Sequence, residues 1–243
     1  MKQLRTLRRA LGALGIGLVL GSFSHPTVAS AIVSALGETP RRALPLGYLG
    51  ALALHHLILA GIGLAIVAVS GIGLGILATR PGAASIRGTI DTLAAAAQAV
   101  PPVVVVALAL PVLGFGGPPT LLALVFYGLM PTLRGTVGAL EAVPAEAREA
   151  AVALGLTAGQ TLTRVELPLA SPAIVETLRT ALVLAVAVAA VGALAGAATL
   201  GTPIVAGLQN QNTVPMLQGA AATAALAFLC DAAMVTVAGV LRR

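Results

Sequence analysis

Long apolar runs, interrupted by short polar stretches, dominate the chain, and the length of those runs decides what they can be. A helix that crosses a bilayer needs about 20 mostly apolar residues. Six stretches meet that length, at roughly 10–30, 49–79, 92–113, 117–137, 171–195 and 214–240. The second and sixth are long enough to include tilt or interfacial turns. Six crossings put both termini on one side.

Composition closes off the soluble alternative. The chain has 243 residues, 58% hydrophobic and 9% charged, with a mean hydropathy of +1.02, and 14 basic and 8 acidic residues are too few to coat a soluble core of this size. The net charge of +6 comes from basic residues that fall singly or in pairs between apolar runs, which is a pattern of membrane flanks and not a nucleic-acid stripe. Cys230 is the only cysteine, which excludes an intramolecular disulfide and a cysteine metal cluster.

The positive-inside rule sets the direction of insertion. With the N-terminus inside, Lys2, Arg5, Arg8, Arg9, Arg80, Arg87, Arg134, Arg148, Arg164, Arg179, Arg242 and Arg243 are cytoplasmic, and only Arg41 and Arg42 lie outside, so 12 of 14 obey the rule. The first 31 residues also resemble a signal peptide, with small residues Ala29 to Ala31 near a possible cut. The reading kept is a retained first span.

Within the spans, Gly17/Gly21, Gly71/Gly75 and Gly192/Gly196 have the four-residue spacing that lets helix backbones approach closely, read here as intramolecular packing in preference to a dimer seam. "GIGLG" at 71–75 lacks the pattern of a nucleotide loop. Pro101 and Pro102 break the third span and free backbone carbonyls. Two readings stay open there, a kink satisfied by neighbouring helices and a break that lines a transport path.

Charge is concentrated in one place. Five of the eight acidic residues, Glu141, Glu146, Glu149, Glu166 and Glu176, fall within 36 positions, in the longest cytoplasmic loop, between the fourth and fifth spans, and at the start of the fifth span. Pro144 suits a first helical turn, and Ala147, Ala150, Ala151 and Leu154 follow helical spacing, so "PAEAREAAVAL" predicts a short helix with one small-residue face, ended at Gly155. "TAGQTLTRVEL" predicts a second short helix stopped at Pro168. A hairpin of this kind is often an amphipathic element on the membrane surface. Glu146 and Glu149 against a single Arg148 suit anionic lipid poorly and suit a groove in a protein partner better.

Glu149-Ala150-Ala151, three residues, Gly155, nine residues, then Val165-x-Leu167-Pro168 resembles the EAA signature of permease subunits of bacterial ABC importers, with Val165 where isoleucine is commoner. The resemblance runs from about His56 to the C-terminus and looks most like the osmoprotectant type, which moves glycine betaine, choline or carnitine. It is carried by "VPPVVVVALALPVLGFGGPPTLLALVFYGLMPTLRGTVGAL" (100–140) and "GAATLGTPIVAGL" (196–208), with departures at Gly135, where many relatives have asparagine, and at Ala198-Thr199, where Gly-Gly is commoner. It implies an all-α polytopic inner-membrane protein of about six transmembrane helices with both termini cytoplasmic. Residues 1–48 would form the first helix and an external loop, and 49–243 the permease core, with a coupling loop at 138–170.

The same resemblance implies that Glu149, Ala150, Ala151, Gly155, Leu167 and Pro168 couple to a cytoplasmic ABC ATPase dimer. A second permease subunit, the same or paralogous, and an extracytoplasmic substrate-binding protein complete the expected assembly in membrane lipid. Pro101, Pro102, Gly196, Thr199 and Gly201 are candidates for the path or its gate. ATP and magnesium belong to the partner, because the only lysine, Lys2, cannot serve a P-loop. With 2 Tyr, 4 Phe and no Trp, an aromatic cage for a quaternary ammonium is expected on the binding protein instead. No catalytic or metal motif is found, and His55 and His56 read as interfacial residues near an external span edge. Asp91 is expected to cap the third span, Asp231 to face another helix or a wet cavity, and Glu176 and Arg179 to form a local ion pair. The alternatives are an ABC permease for an amino acid such as methionine and, from another class, an ion-driven secondary transporter, which should show two repeated halves that are not evident here.

The charge distribution makes a direct prediction: alkaline phosphatase fused after Arg42 should be active and fused after Gly155 inactive, and the reverse pattern would overturn the topology.

Overall fold

In the computed structural model the chain is described over residues 2–241 except 81, 83–87, 90–91, 93–95 and 97–98. Arg87, Asp91, Arg242 and Arg243, and with them the expected cap of the third span, lie outside the described residues. The helices are α1 (Lys2–Ser22), α2 (Pro26–Ala35), α3 (Leu46–Ala78), α4 (Pro102–Leu113), α5 (Gly117–Glu141), α6 (Ala145–Ala153), α7 (Ala158–Thr161), α8 (Leu167–Val191), α9 (Gly201–Gln209) and α10 (Thr213–Leu241). A π-helical turn, Leu162–Glu166, joins α7 to α8, and a 3-10 turn, Gly192–Ala195, ends α8. Among the described residues there is no strand.

Four of the six expected spans are long apolar helical runs, Leu46–Ala78, Gly117–Glu141, Ala158–Ala195 and Thr213–Gly239. The expected first span is not straight: α1 and α2 meet at 76°. Tight bonds from Phe23, Ser24 and His25 N–H to carbonyls three residues back wind the end of α1, and Pro26 has no N–H with which to continue it. Of the third span, Pro102–Leu113 form the 12-residue helix α4. Helix α3, at 33 residues, is about 50 Å long, more than a hydrocarbon core of ~30 Å requires, and so must tilt.

Small residues set how these helices meet. Gly63 of α3 lies against Leu124 of α5, Val67 against Gly128, Gly71 against Thr132 and Gly75 against Thr136, so the two helices run parallel in constant register. Each position pairs a gap on one helix with a side chain on the other. The hydroxyls of Thr132 and Thr136 donate to the Gly128 and Thr132 carbonyls, at 2.8 Å each, which leaves their methyl groups for the contact. Helix α8 runs antiparallel to α5, with Gly135 against Thr177 and Gly192 against Thr120. Gly17 and Gly21 of α1 pack on α10 at Leu229 and Ala225. The glycine pairs of α1 and α3 therefore serve packing within the chain. Gly196 does not belong to such a seam, since it ends the 3-10 turn with φ +79.

Thr6 touches Gly239, so the beginning of α1 and the end of α10 lie together. Glu176 and Arg179, in the first half of α8, line the same crevice as Thr6 and Gly239, so this is also the end at which α8 begins and α3 and α5 finish. The buried centre, at Ala60, Val106, Leu124, Val186 and Ala189, is sealed by Leu59, Tyr127 and Leu226. Leu54, Ile58, Val69, Leu108 and Val112 face outward, as a hydrocarbon surrounding allows.

A Cβ on Gly75 would sit 2.6 Å from Thr136 Cβ, whereas one on Gly73 meets nothing within 4 Å. Gly75→Ala should cost about 1–3 kcal/mol and Gly73→Ala should be nearly neutral, read as thermal unfolding in detergent. Equal behaviour would contradict the α3–α5 contact.

Candidate functional site

The segment between α5 and α8 folds as two turns of different character. Pro144, extended at ψ 137, is the N-cap of α6 and so precedes the first turn instead of lying within it. The helix stops where expected, because Gly155 takes φ +77 and its N–H and that of Leu156 bond back to the carbonyls of Val152 and Ala151. Thr157 then caps α7 in a reciprocal box with Gln160.

Two sequence expectations fail here. Pro168 does not end a helix; it sits in the first turn of α8, and the chain runs helically from Ala158 to Ala195. The π turn makes this possible, since Leu167 N–H bonds to Leu162 O five residues back and a proline near the start of α8 forfeits little. The small-residue face of α6 is also divided. Ala151 is buried and Ala147 half-buried, while Ala150 and Leu154 point outward beside Glu146, Glu149 and Val152. Leu154 is 79% exposed, so the outward face carries apolar knobs between acids. Of the other signature positions, Gly155 and Pro168 are exposed and Leu167 is half-buried.

Sequence reasoning missed what holds α6 in place. Glu166, in the π turn, is buried, with its side chain 8% exposed. Its Oε1 accepts from Arg148 Nε of α6 at 2.9 Å and its Oε2 from Arg80 Nη2, just past α3, at 2.9 Å. Arg148 also donates through Nη2 to Leu140 O of α5. A carboxylate buried this deeply is tolerable because two guanidinium groups meet it. The signal was present as unlike charges close in the sequence, but the turn that aims Glu166 inward is not legible there.

Of the candidate path residues, Gly196, Thr199 and Gly201 lie toward the opposite end of the bundle, and Pro101 and Pro102 nearer its middle, beside Tyr127. Pro101 is the extended N-cap of α4 and Pro102 opens it, and the Val100 carbonyl is taken by the Tyr127 hydroxyl of α5. After exposed Gly196, Thr199 is buried, its Oγ1 accepting from Gly201 N–H, while Thr202 Oγ1 donates to Ala197 O. A Cβ on Gly201 would lie 1.9 Å from Ala190 O, so the chain touches α8 backbone to backbone there.

His56 holds this turn, against the expectation of an interfacial pair. It lies ten residues into α3 and is fully buried, accepting at Nδ1 from Leu200 N–H at 3.2 Å, which leaves Nε2–H to donate to Val186 O at 2.8 Å. His55 is exposed and bonds to its own helix, at Ala51 O. Asp231 finds its partner across helices: Arg179 of α8 donates to both its carboxylate oxygens, at 2.5 and 2.9 Å. The expected Glu176–Arg179 pair is present at 3.2 Å. Among the described residues no cluster of His, Cys, Asp and Glu suits a metal.

Comparison with known proteins adds independent findings. The family model for "Binding-protein-dependent transport system inner membrane component" matches residues 71–242. The chain is 41% identical over 132 residues to the ergothioneine transport permease/ergothioneine binding protein EgtU of Helicobacter pylori, covering 54% of this chain and 24% of that one. It is 35% identical to the carnitine transport permease OpuCD of Listeria monocytogenes, over 60% of this chain and 66% of that one. The osmoprotectant import permease OsmY of Salmonella typhimurium is 34% identical, with 78% and 79% covered. The first two relatives are thus matched over less than two thirds of their length. In fold, the chain is similar to an inward-facing MetNI methionine ABC transporter structure, with TM-score 0.72, 23% identity, and 82% and 98% covered.

The buried turn at Leu200 should depend on the imidazole. His56→Leu strands the Leu200 N–H and should lower stability by about 1–3 kcal/mol, while His56→Gln, which keeps a donor and an acceptor, should recover part of it in detergent unfolding. Equal stability of all three would remove His56 from this role.

Proposed function

The chain belongs to the family of binding-protein-dependent transport system inner membrane components, and from that membership we propose that it is the permease subunit of an ATP-binding-cassette importer for a small quaternary-ammonium osmoprotectant such as glycine betaine, carnitine or choline. The observation that carries the reading is α6, a nine-residue helix held at one end of the bundle with Glu149 and Ala150, and Leu154 at its C-cap, turned outward. A helix with apolar knobs between acids has the form of an element that enters a groove in another protein. The substrate class is supported by relatives whose names specify ergothioneine, carnitine and osmoprotectants, since ergothioneine and carnitine both carry a trimethylammonium group.

In this reading the protein is not itself an enzyme. A separate cytoplasmic ATPase dimer binds ATP with magnesium and closes, α6 moves with it, and the permease, paired with a second copy or a paralogue, alternates access. The turn at Gly196 to Gly201 and the break at Pro101 and Pro102 are the points at which the path opens, and an external binding protein delivers the substrate. Glu149, Ala150 and Gly155 form the contact with the ATPase, and Ala151, Leu167 and Pro168 seat that contact on the bundle. Insertion is in the bacterial inner membrane with both termini cytoplasmic. The methionine alternative has only a fold likeness at 23% identity behind it.

Gly155 gives the sharpest test. Its φ of +77 resists a β-branched residue by about 1–2 kcal/mol, and a Cβ there would meet nothing within 4 Å beyond its chain neighbours, so the bundle loses no packing. Gly155→Val should accumulate in the membrane yet fail to co-purify an ATPase or take up labelled glycine betaine. Wild-type uptake in that variant would count against the role of the loop.

A further inference from the structure

We propose that Glu166 is a positioning residue that makes α6, α8 and the end of α3 move as one body. Helix α6 cannot fix its own pose: it has nine residues, and of these only Ala151 is buried. So short a helix with so little apolar burial depends on tertiary anchors. Those anchors are Arg148 to Glu166 and Arg148 to the Leu140 carbonyl. The second oxygen of Glu166 reaches Arg80, which follows α3 and is far from α6 along the chain. One carboxylate therefore joins three elements, and its burial makes it costly to strip either oxygen of its guanidinium partner.

The π turn is the second observation. An extra residue in a helical turn rotates the downstream helix by about 100° relative to the upstream one. It is this turn, Leu162–Glu166, that presents the Glu166 carboxylate inward between Arg80 and Arg148 and then delivers the chain to α8. A pull on α6 is passed covalently to α8 through α7, and through the carboxylate to α3. Helix α3 carries Gly63, Gly71 and Gly75 against α5 and His56 against the Leu200 turn, so its displacement reaches the far end of the path. Charge-assisted bonds to a buried carboxylate are stiff and directional, which suits transmission better than apolar contact would.

This inference rests on the importer reading, and its test separates the two. The assembled transporter is reconstituted with its ATPase in liposomes, with Cys230→Ser and spin labels at Val152→Cys of α6 and Leu77→Cys of α3, both exposed sites. Distances are measured without nucleotide and with ATP and vanadate, and labelled glycine betaine uptake is scored per ATP hydrolysed. In the parent the label separation should hold between states. In Glu166→Gln and Arg80→Met it should acquire a second, longer population with nucleotide, and uptake per ATP should fall about tenfold. Arg80→Lys, which keeps the charge, should restore both readouts in part. If Glu166→Gln fails to accumulate, Arg80→Met decides alone, since Arg80 is 30% exposed. Parent-like distances and coupling in Arg80→Met would overturn the inference. A parent preparation that retains no ATPase would overturn the importer reading and this inference with it.

Discussion

A polar group at membrane depth has no water to turn to, so it must be met by another group of the protein, and this constraint organises the whole bundle. His56 bridges α3 to α8 and to the Leu200 turn. Arg179 and Asp231 join α8 to α10. The Tyr127 hydroxyl donates to the Val100 carbonyl, just before the two prolines that open α4. Gln218, fully buried, accepts from Leu44 N–H and donates to the carbonyls of Ser24 and Leu44, which fastens both the α1–α2 bend and the following link to α10. Each is a polar lock between separate elements, most of them distant in sequence, and together they tie helices to their neighbours.

Between these locks the helices touch through glycine, alanine and threonine, which allows close approach without long interdigitating side chains. The Gly75–Thr136 contact and the backbone contact at Gly201 leave no room for a larger residue. Such surfaces favour rigid elements that shift against one another as units, the kind of motion an alternating-access permease uses. Polar locks and smooth contacts are thus complementary, the first selecting neighbours and the second permitting displacement.

The loop between α5 and α8 obeys the same constraint at the edge of the bundle. Its outward face is free to meet a partner because its inward face is tied by Arg148 and Glu166. The family relationship and the exposure of Glu149 and Leu154 support the proposal made above, a permease driven by an ATPase carried on another chain.

Much of this was legible in the sequence, because membrane crossing is a matter of length and apolarity that each segment settles locally. The helices α3, α5 and α10, the short α6 and its stop at Gly155 follow from runs, spacing and the freedom of glycine at positive φ. Only the tertiary structure decided the rest. The burial of His56 and the pairing of Asp231 with Arg179 depend on partners placed by the fold, whereas the 76° bend and the continuation of the helix through Pro168 rest on a tight final turn and a π turn that the residue pattern does not announce. Glu166 is the sharpest case. Its neighbours in sequence do not reveal whether it faces water or two arginines, and the direction is set by a π turn whose cost is offset by contacts from α3 and α6. Local patterns fix what can be a helix; pairing across long chain separations is a property of the packed state alone.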